Sequence, residues 1–119
     1  MGHVRVTIRI AHPARREEPV EVPNALVDTG ATWTTVPRQL ADRLGLEVIE
    51  QLPAQTAAGE VTVDHSFAVV EYDGRRSFAD ILISDAYPGV LVGVVTLEGL
   101  RLAVDPGTGR LVDAKLLLL

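Results

Sequence analysis

The sequence of 119 residues has no cysteine, one Trp, two Phe and two Tyr, and no long apolar run. Without cysteine, the chain can form neither a disulfide nor a thiolate metal site. Because aromatic residues are so few, a core must consist mainly of Val, Leu, Ile and Ala. The apolar C-terminal block, Leu116 to Leu119, is far too short to span a bilayer. No apolar block follows Met1 as it would in a signal peptide. We therefore expect a cytoplasmic protein without a membrane partner.

Basic residues are also too few and too dispersed for a nucleic-acid-binding surface. The formal net charge is −5, and the adjacent arginine pairs at 15–16 and 75–76 lie in polar stretches typical of solvated loops. The three histidines are scattered, and only His65 has an acidic neighbour, Asp64. We therefore expect no nucleic-acid partner, no metal site and no cofactor.

The pattern of Val and Ile, together with ten Gly and seven Pro, predicts one all-β domain over residues 1–119. Alternating or short apolar stretches predict strands at 4–10, 20–27, 32–36, 78–83 and 90–93. Two extended arms, 46–56 and 60–70, surround a small tip at Ala57-Ala58-Gly59 and predict a hairpin.

Proline and glycine predict where this β pattern is interrupted. A short helix over 38–44 is expected to begin after Pro37 and to end at Gly45. A second short helix is expected at 95–100. The Asp-Gly pair at 73–74 is a strong signal for a tight hairpin turn.

The most informative segment is an apolar strand that runs directly into Asp28, Thr29 and Gly30. This pattern holds a carboxylate at the end of a buried strand, in a turn that glycine permits. Two carboxylates about 3 Å apart share a proton, so one can activate water while the other donates a proton. Aspartic proteases present their carboxylates in this way, but Asp-Thr-Gly occurs here only once. We therefore expect a homodimer in which each copy of Asp28 supplies half of the site.

The neighbours of the carboxylate have roles in this interpretation. Thr29 would steady the turn through its hydroxyl, across the dimer, while Gly30 would let the two loops approach and Ala31 would line the floor beside substrate. The alternative is that Asp-Thr-Gly makes an ordinary turn. Asp80 or Asp85 could supply a second carboxylate from the same chain, although their positions are more typical of turns or of an exposed strand face.

Further landmarks resemble those of retroviral-type (retropepsin-like, clan AA) aspartic proteases, in their small single-domain prokaryotic form. Val36-Pro37 and the following helix resemble the segment after the catalytic loop, and 90–93 matches the hydrophobic-hydrophobic-Gly motif. The resemblance covers most of the chain and implies a partly closed barrel with one or two short helices, homodimeric and without a cofactor. It also implies a flap tip at Ala57, Ala58 and Gly59, substrate contact near Thr32, and packing beneath the catalytic loop by Leu91, Val92 and Gly93.

Two positions depart from the viral pattern. Viral members commonly carry an Asp just after the catalytic loop and an Arg just after the late glycine, as an ion pair that supports the dimer. Here these positions are Thr32 and Val94. Both partners are absent together, so no lone buried charge is left, and we expect the dimer to be held differently. We expect Trp33 to pack in the core or at the dimer interface and not to line a substrate pocket. We expect the tail at 116–119 either to lie across the dimer or to be disordered.

The sequence thus predicts an aspartic endopeptidase that cleaves peptides or unfolded protein segments, with the hairpin tip closing over an extended substrate. The alternative is a dimeric peptide-binding or scaffolding module on the same fold, with weak or no hydrolysis. A third possibility is a chain that is monomeric in isolation and becomes active only on assembly or substrate binding.

Overall fold

A computed structural model describes residues 4–118. In chain order the elements are β1 (Val4–Ala11), β2 (Val20–Val27), β3 (Thr34–Val36), α1 (Arg38–Leu44), β4 (Glu50–Thr56), β5 (Gly59–Tyr72), β6 (Arg75–Ile83), β7 (Leu91–Val92), α2 (Val94–Gly99), β8 (Leu102–Asp105) and β9 (Arg110–Asp113). The structure is 51 % strand and 11 % helix, which confirms the predicted β class with two short helices. Neither of these helices is long and apolar enough to cross a membrane.

One large sheet contains most of the strands, in the order β1-β2-β7-β3-β6-β5-β4. Strand β1, at one end of this order, also pairs with β5, near the other end, through residues 9–11 and 69–71. Strand β4 pairs with β5 and lies at the end of this order. The parallel pairing of β2 with β7 brings the carboxyl ends of these two strands together, and β3 pairs in parallel with β6. Strands β8 and β9 form a separate hairpin.

The core is aliphatic, as the composition predicts. Alternation along β1, β5 and β6 directs one side of each strand inward, and α2 with β8 adds the apolar residues that cover the sheet. Large side chains that are at most 2 % exposed include Ile8, Ile10, Val36, Val70, Ile81, Val92 and Leu100. Burial of apolar area of this kind is the main favourable contribution to folding.

Most element boundaries follow local sequence signals. Helix α1 begins after Pro37 and ends at Gly45, whose φ of 71° is the left-handed conformation that glycine adopts without strain. Asp73 and Gly74 both have positive φ, as the two-residue turn between β5 and β6 requires. These features confirm the predicted helix and the predicted turn.

Two strands begin later than the sequence predicts. Strand β3 begins at residue 34 and not at 32, because the carbonyl groups of Ala31 and Thr32 accept hydrogen bonds from the start of α2. Strand β4 begins at residue 50 and not at 46. The backbone at 46–49 still makes one contact with β5, from the Ile49 N–H to the His65 carbonyl.

Arg75 connects the long β5–β6 hairpin to the C-terminal part of the chain. Its Nη1 donates to the carbonyl oxygens of Arg101 at 2.8 Å and Leu100 at 3.3 Å. Its Nη2 pairs with Asp113, and the arginine side chain is 26 % exposed. A planar guanidinium can serve all three acceptors at once, whereas an ammonium group on a flexible stem cannot hold that geometry.

We predict that Arg75→Lys lowers the free energy of unfolding by about 1–2 kcal/mol, because at least one partly buried carbonyl loses its donor. Urea unfolding at a single protein concentration measures this. The matched control is Arg76→Lys, whose side chain is 60 % exposed and pairs only with Glu71 among the described contacts. It should change the free energy by less than about 0.5 kcal/mol. Equal losses in the two variants would contradict the role given to Arg75.

Candidate active site

Asp28 lies directly after β2, in a tight turn that fixes its carboxylate. The Asp28 N–H donates to the Val92 carbonyl at 3.0 Å, which extends the β2–β7 pairing by one residue. Its Oδ1 accepts from the Gly30 N–H at 3.0 Å, and its carbonyl accepts from the Ala31 N–H at 3.0 Å. Asp28 is half-buried, while Thr29 and Gly30 are exposed. The turn therefore presents the carboxylate from a position set entirely by the backbone.

Contrary to the prediction, Gly30 does not serve this turn through backbone freedom, and its role in letting two loops approach stays a prediction. Its φ is not in the left-handed region, so backbone freedom is not what the position requires. A Cβ at Gly30 would lie 3.2 Å from Asp28 Oδ1. Glycine therefore leaves room for the carboxylate to accept its hydrogen bond.

The segment after the turn is held on the first residues of α2. The Val94 N–H donates to the Ala31 carbonyl at 2.8 Å, and the Val95 N–H donates to the Thr32 carbonyl at 3.0 Å. The first N–H groups of a helix have no partner within the helix, so these carbonyls satisfy them. Thr32 and Val94 stand where viral members carry the ion pair. Here both residues take part in this contact through their backbone groups.

Gly93 lies where the loop and β7 come closest. A Cβ at Gly93 would lie 2.6 Å from both the carbonyl carbon and the carbonyl oxygen of Trp33. The Gly93 N–H donates to Thr34 Oγ1 at 3.2 Å, and Thr34 Oγ1 lies 2.6 Å from Thr96 Oγ1. Both hydroxyls are buried. The two threonines join β3, β7 and α2 behind the loop, and the sequence analysis did not predict this contact.

Leu91 and Val92, predicted to pack beneath the loop, pair in parallel with Leu26 and Val27. Val92 is 1 % exposed. The structure therefore brings together the Asp28 turn and residues 91–93, which lie more than sixty positions later in the chain.

The predicted hairpin tip is present between β4 and β5. Thr56 pairs with Gly59, and Ala57 and Ala58 form the connection. Thr56 Oγ1 donates to the Gly59 carbonyl at 2.8 Å and accepts from the Ala58 N–H at 3.2 Å. These bonds are local to the tip, and its closure over a substrate stays a prediction.

Thr29 also lines a cavity of about 770 Å³. Helix α2, strand β8 and the C-terminal tail form its other walls. Leu116 and Leu117 of the tail line it although they are 70 % and 88 % exposed. The tail is not a strand in the described chain, and its predicted burial across a dimer stays a prediction.

His65 forms a polar cluster that the sequence analysis missed. The residue is 6 % exposed, with Nδ1 2.9 Å from Glu50 Oε2 and Nε2 2.8 Å from Asp80 Oδ1. The Trp33 ring stacks on it with centroids 4.8 Å apart and an interplanar angle of 17°. The centroid of the Phe67 ring lies 5.2 Å from that of the His65 ring. Trp33 therefore packs within the chain, as expected, and Asp80 is not a turn or free surface residue.

The pKa of the His65 imidazole is raised above the ordinary histidine value. Burial of the ring lowers it, but the hydrogen bonds and negative charges of Glu50 and Asp80 outweigh that effect. Each carboxylate is fifteen residues from His65 in sequence, so only the pairing of β4, β5 and β6 brings them together. Within residues 4–118, no group of three or more His, Asp or Glu side chains is arranged to hold a metal ion.

Comparison with known proteins agrees with this fold. A family model described as aspartyl protease matches residues 13–75, just over half of the chain. The chain therefore belongs to the aspartyl protease family. Its structure is similar to that of EIAV protease complexed with the inhibitor HBY-793, with 20 % identity and a TM-score of 0.63. That match covers 98 % of this chain and 94 % of the other.

At this identity the structural likeness shows the fold alone, which is that of a retroviral protease. The predicted resemblance to retropepsin-like proteases is thereby confirmed. No curated protein matches the sequence.

The close approach at Gly93 leads to a stability prediction. Gly93→Ala should lower the free energy of unfolding by at least about 2 kcal/mol, because the added methyl group must displace the backbone of Trp33. Denaturant unfolding followed by Trp33 fluorescence measures this. Gly107→Ala is the matched control, since its Cβ would meet only Asp105 Oδ1 at 3.4 Å, and should cost less than about 0.5 kcal/mol. Similar stabilities of the two variants would show that the loop is not seated on Gly93.

Proposed function

We propose that this chain is an aspartic endopeptidase whose active site forms between the Asp28 carboxylates of two copies in a homodimer. The observation that carries the proposal is the Asp28 turn, held by backbone hydrogen bonds at the carboxyl ends of β2 and β7. Thr29 and Gly30 are exposed at its tip, so a second copy of the turn can approach. Membership in the aspartyl protease family supports the same chemistry.

Asp80 and Asp85 already have hydrogen-bond partners in their own chain, which supports a second chain as the source of the carboxylate that pairs with Asp28. Asp80 accepts from the His65 ring, and Asp85 accepts from the Arg38 N–H at 2.9 Å at the start of α1. The two residues considered as partners within one chain therefore have other roles. In our proposal each chain is a partly closed barrel that contributes one Asp28, and two-fold symmetry places the pair on the axis.

In the proposed reaction the two Asp28 carboxylates hold one proton between them. The ionised group removes a proton from water as the water oxygen attacks the peptide carbonyl carbon, while the protonated group gives its proton to the carbonyl oxygen. The resulting tetrahedral diol collapses as one carboxyl group gives a proton to the amide nitrogen and the other, ionised, group takes a proton from a diol hydroxyl. The C–N bond breaks, and an amine and a carboxylic acid are released. The backbone bonds of the turn keep each carboxylate in place through these steps.

The proposed substrate is an extended peptide or an unfolded protein segment. Strand β4 ends the sheet order, so its outer backbone groups can pair with an added strand. The tip at Ala57, Ala58 and Gly59 would cover the bound segment as a flap and exclude water. Thr32, which is exposed beside the turn, would contact substrate in this arrangement.

Cleavage by matched carboxamide variants tests the chemistry. Wild type should cleave an unfolded protein or a peptide library between about pH 3 and 7, and Asp28→Asn should lose at least about 100-fold in kcat. Asp85→Asn is the control, because its amide oxygen can still accept from the Arg38 N–H, and it should retain activity. A chain that is dimeric by sedimentation and binds peptides without cutting them would instead be the binding or scaffolding module.

Mixing experiments test whether two chains share one site. When equal amounts of wild type and Asp28→Asn exchange subunits freely, activity per wild-type chain should fall about twofold, because only a quarter of the dimers keep both carboxylates. A site complete within one chain would keep full activity per wild-type chain. Sedimentation of each protein shows whether dimers form, and wild type that cleaves while it is monomeric would contradict the dimer.

A further inference from the structure

The His65 cluster lies between the hairpin and the segment that follows Asp28. His65 is on β5, and Glu50 lies directly opposite it on β4. Asp80 reaches the ring from β6, and Trp33 stacks on it from the segment before β3. Four separate stretches of chain therefore meet at one buried imidazole. We refer to Glu50, His65, Asp80 and Trp33 as the His65 clamp.

The geometry of the clamp defines the protonation state of its ring. Both ring nitrogens lie within hydrogen-bond distance of a carboxylate oxygen, at 2.8 and 2.9 Å. An ionised carboxylate only accepts hydrogen bonds, so both nitrogens must donate, and only the imidazolium has two N–H groups. A neutral ring would satisfy one carboxylate and turn a lone pair towards the other. The complete clamp therefore requires the proton.

Trp33 connects the ring to the catalytic loop. A cation stacked against an indole face is attracted to it, and the attraction weakens when the charge is lost. The backbone of the same tryptophan lies against Gly93, with no room for a methyl group between them. Gly93 directly follows Val92, whose carbonyl accepts from the Asp28 N–H. The ring and the Asp28 turn are thus linked by a continuous chain of contacts through Trp33, Gly93 and Val92.

We propose that His65 is a positioning residue: as an imidazolium it holds β4 and Trp33 in place for peptide binding, and loss of its proton releases them. The part that concerns peptides rests on the proposed function. The clamp itself depends only on the contacts described.

The clamp should open first at Glu50. The Glu50 side chain is 51 % exposed and that of Asp80 is 28 % exposed, so Glu50 can turn to water at lower cost. It also lies on the strand that ends the sheet order. A neutral His65 would keep its bond to Asp80 and lose its bond to Glu50, which loosens the attachment of β4.

The charges around the ring give the direction of the pH dependence. Glu50 and Asp80 face it, Trp33 is neutral, and Asp64 beside it is paired with Arg38, which lowers the pKa of that carboxyl group. The pKa of His65 is raised, so the clamp stabilises the fold fully below the ordinary value of about 6.5. This contribution is lost as the pH rises through the raised pKa.

Trp33 is the sole tryptophan in the sequence, so its fluorescence reports on the clamp directly. An adjacent imidazolium quenches indole fluorescence more strongly than a neutral imidazole does. The wild-type emission should therefore rise with pH, with a midpoint above about 6.5. His65→Gln should abolish the transition, whereas His12→Gln, which removes a histidine 3.9 Å from Glu47, should leave it unchanged. A transition that is absent from wild type, or that persists in His65→Gln, would overturn the clamp.

In Glu50→Gln, the complete clamp should no longer require a protonated His65. The amide nitrogen of Gln can donate to Nδ1 of a neutral ring while Nε2–H still donates to Asp80, so the clamp stays closed at higher pH. The fluorescence midpoint should fall, and amide hydrogen exchange of β4 at pH 8 should be slower than in wild type. A purely structural role of His65 would not produce this rescue. An unchanged midpoint in Glu50→Gln would contradict the proposal.

Peptide binding to Asp28→Asn, which should not cut its ligand, tests the link to function. Affinity should weaken by about fivefold or more as the pH passes the Trp33 midpoint, and by reciprocity bound peptide should raise that midpoint by about 0.7 unit. Affinity that is independent of pH would overturn the positioning role. If wild type neither binds nor cuts peptides at any pH, the proposed function fails, while the two fluorescence experiments still decide the clamp.

Discussion

The backbone contact between residues 31–33 and the start of α2 is the constraint on which the Asp28 turn depends. Two helix N–H groups donate to loop carbonyls, and the absence of a side chain at Gly93 allows the segments to touch. Such a contact has little freedom to adjust, since backbone groups cannot change rotamer. It also carries no charge, so it is insensitive to salt and pH. Thr32 and Val94 can therefore replace a charged pair without leaving the loop unsupported within the chain.

The surrounding fold makes this contact rigid. Strand β2 runs directly into Asp28 and pairs in parallel with β7, and Ala25, Val27 and Val92 of these strands belong to the aliphatic core. Behind them, Thr34 and Thr96 satisfy each other and the Gly93 N–H. Ala57 and Ala58 of the hairpin tip and residues 116–118 of the tail, by contrast, are exposed.

Local signals predicted much of this fold because they act over a few residues. Pro37 and Gly45 bounded α1, and Asp73-Gly74 marked the turn after β5. The Asp28 turn was also visible, since its bonds run only to Gly30 and Ala31 within the segment. The His65 cluster was not, because its partners are brought together by the register of three strands. The late start of β3 also depends on residues distant in sequence, since the carbonyl groups of Ala31 and Thr32 accept hydrogen bonds from a helix about sixty residues later.

Strand β4 has a consequence for the chain in isolation. An edge that accepts an extended segment also accepts the edge of another folded molecule, which is how β proteins begin to aggregate. Pro53 lies in the middle of this strand and is exposed. Proline has no N–H, so the edge lacks a donor at its centre, where a second copy would otherwise find a continuous ladder. A short flexible peptide could still pair with the β4 backbone on either side of Pro53. Pro53 therefore discourages growth of a sheet between molecules while leaving transient pairing possible.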